Sequence, residues 1–162
     1  MKFKAHPTTY AGVNFRSRLE ARWAAFFDIV QIKWEYEPYD LEGWSPDFSI
    51  IFPSGLSTLV EVKPIDWKKD GIFSCFERED LQKAWRHVEH EKPILVLGLG
   101  PSTASKTYAA IGPWLEERSS GERDISEMIV LDKSDGDPGA KIDWVWREAG
   151  NRTQWRAPTR TR

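Results

Sequence analysis

The chain is poor in the residues that build disulfides and zinc clusters. Its 162 residues include one cysteine, Cys75, and three histidines. A lone cysteine cannot form an internal disulfide or supply several thiolates to a metal. The sequence also lacks an apolar run of about 18 residues, which a membrane-spanning helix requires, and its start lacks the apolar core of a signal peptide. We therefore expect a soluble cytoplasmic protein without membrane contact.

The chain also lacks an excess of basic residues. It has 23 Lys and Arg against 25 Asp and Glu, which gives a net charge of −2. This excludes a strongly basic nucleic-acid binder, so any contact with DNA must come from a local patch. Residues 1–19 and 149–162 contain no acid. We expect one domain over residues 1–150 and a flexible basic tail over 151–162, which either adds affinity for DNA or only favours solubility.

Local patterns predict a helix followed by a sheet. Ser17 is a good N-cap, and Glu20 completes a capping box three residues later. The apolar residues that follow, up to Val30, recur at helical spacing. Further patterns predict strands over 34–37, 46–52, 57–63 and 93–98, and a second helix over 77–91. Towards the end of the chain they predict partial order over 111–117 and strands over 128–131 and 142–146. Residues 1–15 and 65–75 are predicted to be loops.

Three side chains of types that take part in catalysis and metal binding fall in the predicted hairpin of strands 46–52 and 57–63. Asp47 lies in the first strand, and Glu61 and Lys63 lie in the second. Because successive side chains in a strand point to opposite faces, Glu61 and Lys63 share a face, and Val62 points towards the core. The hairpin can bring Asp47 beside Glu61. Two carboxylates and an ammonium would then converge.

Two carboxylates held close together repel each other unless a cation joins them. Mg²⁺ prefers oxygen ligands and binds through one or two carboxylates, substrate phosphate and water. The main-chain carbonyl of Val62 is a candidate additional ligand. Such a metal lowers the pKa of a bound water and polarises a phosphodiester, and Lys63 is placed to orient that water or to stabilise the developing charge. The alternative is that Glu61 and Lys63 form an ordinary ion pair on a solvated strand.

Pro46-Asp47, thirteen further residues and then Glu61-Val62-Lys63 resemble the signature of PD-(D/E)XK nucleases. The stretches 15–24 and 34–38 resemble the first core helix and strand of small phage-type endonucleases in this superfamily. The resemblance covers about residues 10–98. It implies an α/β fold with a restriction-endonuclease-like αβββαβ core, in which helices flank a central mixed sheet, and with C-terminal additions.

The resemblance further implies hydrolysis of DNA phosphodiester bonds that depends on Mg²⁺ or Mn²⁺. It assigns metal binding to Asp47 and Glu61 and catalysis to these two residues together with Lys63. It also indicates Glu20 as a further acid at the metal, although Glu20 has a second role in the capping box. The setting would be recombination, repair or DNA processing in a phage or mobile element, and the location a bacterial or phage-infected cell.

Contacts with DNA are predicted for basic and aromatic residues near these positions, namely Tyr10, Arg16, Arg18, Lys68 and Lys69. Cutting both strands would favour a homodimer. The alternative is a catalytically silent DNA-binding subunit, or a transposase-like subunit that cuts only inside a larger recombination or replication complex.

Overall fold

The computed structural model describes residues 5–89 and 92–154. The strands are β1 (Thr8–Tyr10), β2 (Val13–Phe15), β3 (Lys33–Tyr36), β4 (Phe48–Ile51), β5 (Ser57–Val62), β6 (Ile94–Leu97), β7 (Thr103–Ala104), β8 (Tyr108–Glu117) and β9 (Arg123–Asp132). The α-helices are α1 (Arg18–Ile29), α2 (Trp67–Asp70), α3 (Gln82–Trp85) and α4 (Pro138–Arg152). Short 3-10 segments cover Ile72–Phe76, Glu79–Leu81 and Lys133–Asp135.

Seven of the strands form one mixed sheet. Its order is β3-β4-β5-β6-β8-β7, and β9 also pairs with β8. The β5–β6 pair is parallel, and the other pairs are antiparallel. The remaining strands, β1 and β2, form a separate hairpin. The predicted architecture of a central mixed sheet flanked by helices is confirmed.

Each face of the sheet carries its own hydrophobic core, as β6 illustrates. Leu95 and Leu97 belong to a core that includes residues of α1 and α4. Ile94 and Val96 belong to a second core with the short helical segments between β5 and β6. Because neighbouring side chains in a strand point to opposite faces, the two cores lie on opposite sides of the sheet. A strand buried on both faces reads as a continuous apolar run, which is why β6 was predictable.

Helix α1 begins after Ser17, the N-cap that the sequence predicted. The Ser17 hydroxyl accepts a hydrogen bond from the Glu20 main-chain N–H at 3.1 Å. Trp23, Phe26 and Phe27 are fully buried on the inner side of the helix. The helix ends at Ile29, and Gln31 follows in the left-handed region with φ of 61°. The start of α1 thus lies at one end of the sheet with Glu20 on its inner side.

The predictions between residues 1 and 91 need three corrections. Part of the predicted N-terminal loop is the β1–β2 hairpin, whose turn residues Ala11 and Gly12 both have positive φ; this turn type usually shows an Asn-Gly or Asp-Gly signal, which is absent here. The predicted loop over 65–75 contains α2 and a 3-10 segment. The predicted helix over 77–91 is wrong in length, because Arg78 is extended with ψ of 122° and helical turns restart only after it.

The predicted strand over 142–146 is wrong, because this segment belongs to α4. The Asp137 carboxylate accepts a hydrogen bond from the Ala140 N–H at 3.1 Å, and Pro138 occupies the first turn. Both features are helix-start signals. Val145 and Ala149 are buried at a spacing of four, on the side of α4 that faces the first core. The segments over 111–117 and 128–131 lie within β8 and β9, which are both longer than predicted.

Residues 155–162 of the predicted tail lie outside the described residues, and α4 extends beyond the proposed boundary at residue 150. Among the described helices, none has the length and apolar character needed to cross a lipid bilayer.

Candidate active site

The pairing of β4 with β5 brings the two predicted acids together. Phe48 pairs with Val60 in the antiparallel ladder, so that Asp47 and Glu61 are the next residues along it. The main-chain N–H of Asp47 donates to the Val60 carbonyl at 2.9 Å. Both acids are buried, with 5% and 7% of their surface exposed. Asp47 and Glu61 therefore lie side by side at the end of the hairpin.

Both carboxylate oxygens of Asp47 have partners. Oδ2 accepts a hydrogen bond from the main-chain N–H of Val62 at 2.7 Å. Oδ1 accepts one from Nη2 of Arg16 at 2.7 Å. The first donor belongs to the rigid backbone of β5, whereas the second is the end of a long side chain that is mostly exposed. One oxygen of Asp47 is thus fixed by the fold, and the other is bound by a movable cation.

Glu61 repeats this arrangement with different residues. Its Oε2 accepts a hydrogen bond from Nε1 of Trp44 at 2.8 Å, and its Oε1 lies 3.0 Å from Nζ of Lys63. The indole is held in place because Trp44 is buried and exchanges two main-chain hydrogen bonds with Leu41, at 3.0 and 3.1 Å. Lys63 and Glu61 share a face of β5, as predicted.

The donor set fits a small divalent cation that binds few protein ligands. In both Asp47 and Glu61 one oxygen is oriented by the scaffold, and the other is bound by a side-chain cation that a metal ion can replace. Among residues 5–89 and 92–154, no group of three or more His, Cys, Asp and Glu side chains is arranged to hold a metal. Mg²⁺ does not require such a group, because it commonly binds one or two carboxylates and completes its shell with water and phosphate.

The pKa of Asp47 reflects its burial and the carboxylates around it. Burial raises the pKa of Asp47 to about 7, and the negative charges of Glu61 and Glu20 add to the increase. The hydrogen bond from Val62 and the charge of Arg16 act in the opposite direction. The ionised form of Asp47 is therefore disfavoured at this position, and a further cation beside the carboxylates would favour it.

Glu20 lies close enough to raise the pKa of Asp47. Both carboxylate oxygens of Glu20, however, accept hydrogen bonds from hydroxyl groups. Oε1 accepts from the Ser17 hydroxyl at 2.9 Å, and Oε2 accepts from the Tyr36 hydroxyl. Burial, followed by the hydrogen bond to Glu20, raises the pKa of Tyr36 to about 12, so that this hydroxyl remains a donor at neutral pH. The Glu20 carboxylate thus contacts the side chain of the N-cap residue, and in the described part of the chain it does not accept the bond from the Ser17 main-chain N–H that would complete the predicted capping box. Its role at a metal stays a prediction, as does the Val62 carbonyl ligand.

Arg16 is the centre of an ion-pair network at the rim of the site. Besides Asp47, its guanidinium contacts Glu37 at 2.8 Å and lies 4.0 Å from Glu20. Glu37 has φ of 48°, a conformation that is costly for a residue with a side chain. Its main-chain N–H donates to the Asp47 carbonyl at 2.8 Å. The strained residue therefore contacts both Arg16 and the strand end that carries Asp47.

The structure brings some of the predicted DNA-contacting residues near the acids. A cleft of about 340 Å³ is lined by Arg18, Glu20 and Lys63, among others. Lys68 and Lys69 are exposed on α2, which follows β5 after a short connection. Tyr10 is not at the site. Its hydroxyl donates to Asp28 Oδ2 at 2.5 Å, and Asp28 is two turns along α1 from Glu20, about 12 Å away.

Sequence reasoning missed Trp44 and Tyr36, which bind the two buried glutamates. Trp44 lies in a stretch, 39–45, that reads as a polar turn. Its proximity to Pro46-Asp47 was the only available signal. Tyr36 lies in a strand with alternating aromatic and acidic residues, and its pairing with Glu20 depends on how α1 crosses the sheet.

Comparisons of the chain with protein-family models, curated proteins and solved structures found no match. Its function must therefore be inferred from its own residues and their geometry.

Proposed function

We propose that this chain is a metal-dependent endonuclease of the PD-(D/E)XK type that hydrolyses DNA phosphodiester bonds in phage or mobile-element recombination, repair or processing. The observation that carries the proposal is the convergence of Asp47, Glu61 and Lys63 at the end of β4 and β5. One carboxylate oxygen of each acid forms an ion pair with a basic side chain. The order of α1, three strands, short helical segments and β6 supports a restriction-endonuclease-like αβββαβ core.

In this proposal Asp47 and Glu61, which now contact Arg16 and Lys63, would hold Mg²⁺, or Mn²⁺ in its place. The bound ion would supply a more acidic water and would polarise the phosphodiester. The Val62 N–H and the Trp44 indole keep the two carboxylates in the orientation required. Lys63, once its ion pair with Glu61 is loosened, orients the attacking water or stabilises charge on the phosphate.

Arg16 and Arg18 are candidates to contact the DNA backbone beside the site. A guanidinium released from Asp47 remains at the rim, where a phosphate oxygen is a suitable bidentate partner. Lys68 and Lys69 would contact the backbone further along. These contacts position the substrate and carry no sequence information.

One observation favours the second candidate, a subunit that cuts only within a larger complex. Arg16 joins Asp47, Glu37 and Tyr36 at the site, and a partner protein or the substrate must draw it away before a metal can bind Asp47 fully. Such a protein would bind DNA but cut weakly by itself.

The experiment compares supercoiled, linear, single-stranded and branched DNA in the presence of Mg²⁺, Mn²⁺ or EDTA. We expect cleavage that requires the metal and that falls by at least 100-fold in Asp47→Ala and Lys63→Ala, because the first variant removes a metal ligand and the second removes the group that acts on the attacking water or the phosphate. Asp28→Ala is the matched control, since it removes a carboxylate from the other end of α1. Unchanged cleavage in both site variants would show that the site is elsewhere. Binding without cleavage under every metal would favour the complex-dependent subunit.

A further inference from the structure

Three aromatic rings form a stack on the face of the sheet that carries the second core. Phe73 and Phe76 lie with ring centroids 6.3 Å apart and planes 5° from parallel, and Phe76 and Trp85 lie 5.8 Å apart and 8° from parallel. The guanidinium of Arg123 lies 4.8 Å from the Trp85 ring centre, so one end of the stack is covered. The other end is Phe73, which is 63% exposed.

The local backbone explains the alignment of these rings. Phe73 and Phe76 are three residues apart in a 3-10 segment, and in such a helix side chains at this spacing lie directly above one another. The segment is anchored at both ends. Ser74 Oγ donates to the Gly71 carbonyl at 2.7 Å, and Trp85 Nε1 donates to the Cys75 carbonyl at 2.8 Å. Phe73 is therefore an exposed aromatic ring on an anchored segment, with its plane aligned to that of Phe76.

The segment that carries the stack follows the proposed site along the chain. Phe73 follows Lys63 by ten residues, through α2. Further along the chain, the hydrogen bond from Arg78 lowers the pKa of Asp80, and the charge of Lys63 lowers it further, so Asp80 and Lys63 are within electrostatic range. Phe73 thus lies, along the chain, between Lys63 and Asp80, two residues that are within electrostatic range of each other.

The charges of this segment disfavour a phosphate backbone lying along it, whereas stacking of a base does not depend on charge. Residues 66–80 contain five acids and three basic residues. Duplex DNA carries about one charge per 1.7 Å of axis and a single strand about one per 3.4 Å, so the acids oppose a duplex more than a single strand. Stacking on an aromatic ring does not depend on charge and is independent of base identity. The ammonium groups of Lys68 and Lys69, which have no carboxylate within 4.0 Å in the described part of the chain, remain available for the flanking phosphates.

We propose that Phe73 is a stacking platform for an unpaired base, so that the preferred substrate is DNA with a single-stranded segment beside the cut, such as a flap or a branch. The inference deepens the proposed nuclease function and rests on it. In a bound complex the base would extend the row formed by Phe73, Phe76 and Trp85. The DNA strand that carries this base would run from α2 to Lys63.

The test measures binding in EDTA, where no cleavage occurs. A flap DNA and a blunt duplex carry 2-aminopurine, whose fluorescence falls when it stacks on an aromatic ring, and Kd is measured by anisotropy. We expect the wild-type protein to quench the flap probe. Phe73→Ala should abolish quenching and weaken flap binding by about 5- to 150-fold, the range for one stacked base, and leave duplex binding unchanged.

Further variants separate stacking from other causes. Phe73→Trp should keep both quenching and affinity, whereas Phe73→Leu, which retains an apolar surface without a ring face, should behave like Phe73→Ala. Trp144→Ala is the matched control, because Trp144 is a large aromatic residue that is 54% exposed on α4. It should have no effect. Thermal unfolding of each variant excludes loss of folding as the cause.

The possible outcomes distinguish this inference from the nuclease proposal. A flap Kd for Phe73→Ala equal to that of the wild type, or a wild type that does not quench the probe, overturns the platform even if the protein cuts DNA. Quenching that depends on Phe73 supports the platform even if no metal supports cleavage, and then only the nuclease function fails.

Discussion

Replacing Trp44 by phenylalanine tests whether the fold orients Glu61 through an indole. The substitution keeps an aromatic ring at a buried position but removes the N–H that donates to Glu61 Oε2 at 2.8 Å. A hydrogen bond to a charged group contributes about 1.5–3 kcal/mol. In a domain of this size the loss lowers Tm by roughly 3–12 °C. It also frees the Glu61 carboxylate to rotate.

The effect on function should exceed the effect on stability. Loss of a hydrogen-bond partner that orients a metal ligand typically lowers metal affinity or activity by about 10- to 100-fold. We expect Trp44→Phe to lower Mn²⁺ affinity, measured by calorimetry, and the cleavage rate within this range. Both measurements should be made well below the Tm of the variant, so that unfolding does not contribute.

Trp34 offers a matched control. Its Nε1 donates to Asp28 Oδ1 at 2.8 Å, which is the same kind of bond away from the site. Trp34→Phe should lower stability but leave Mn²⁺ affinity and cleavage unchanged. Equal losses of function in both variants would refute a specific role for Trp44, and so would a Trp44→Phe protein with normal metal affinity.

Three further predictions follow from the charges and burial of single residues. Arg16→Gln should raise metal affinity by roughly two- to fivefold, which corresponds to the free energy of a surface ion pair, because the guanidinium no longer competes with the metal for Asp47 Oδ1. The same variant should weaken DNA binding. A loss of metal affinity, measured by calorimetry, would contradict competition between Arg16 and the metal. In EDTA, burial raises the pKa of Asp47, so the folded state binds a proton that the unfolded state releases, and the stability contributed by this group falls as pH rises through about 7. The wild type should therefore lose stability, on the order of 1 kcal/mol, between pH 6 and pH 8 by urea unfolding, and Asp47→Asn should lack this loss. Burial raises the pKa of Cys75 to about 12, so native protein at pH 8 should react with a thiol reagent only as fast as it unfolds, and rapid labelling of native protein would show that the site is open.

The hairpin and its three central residues were predictable because their signals are local. Alternation along a strand places Glu61 and Lys63 on one face, and a turn at Pro53-Ser54-Gly55 fixes which strands pair. The ion pair at 3.0 Å and the register next to Phe48 agree with that reasoning. Capping of α1 by Ser17 was predictable for the same reason.

The contacts that complete the site depend on residues distant in sequence. Arg16 reaches Asp47 across 31 positions, and Trp44 reaches Glu61 across 17. Neither partner can be read from spacing, because the distance depends on how α1 and the loop before β4 pack on the sheet. The α4 error has a different cause. Ile142-Asp143-Trp144-Val145 resembles a strand when the helix-start signal at Asp137-Pro138 is given too little weight.

The most direct test of the central claim is the position of a bound metal. Crystals soaked in Mn²⁺ should show an anomalous scattering peak between the carboxylates of Asp47 and Glu61, with Arg16 displaced from Oδ1 and the peak absent in Asp47→Ala. A peak at any other place, or none at these two acids while the metal supports cleavage, would contradict the assignment of the active site.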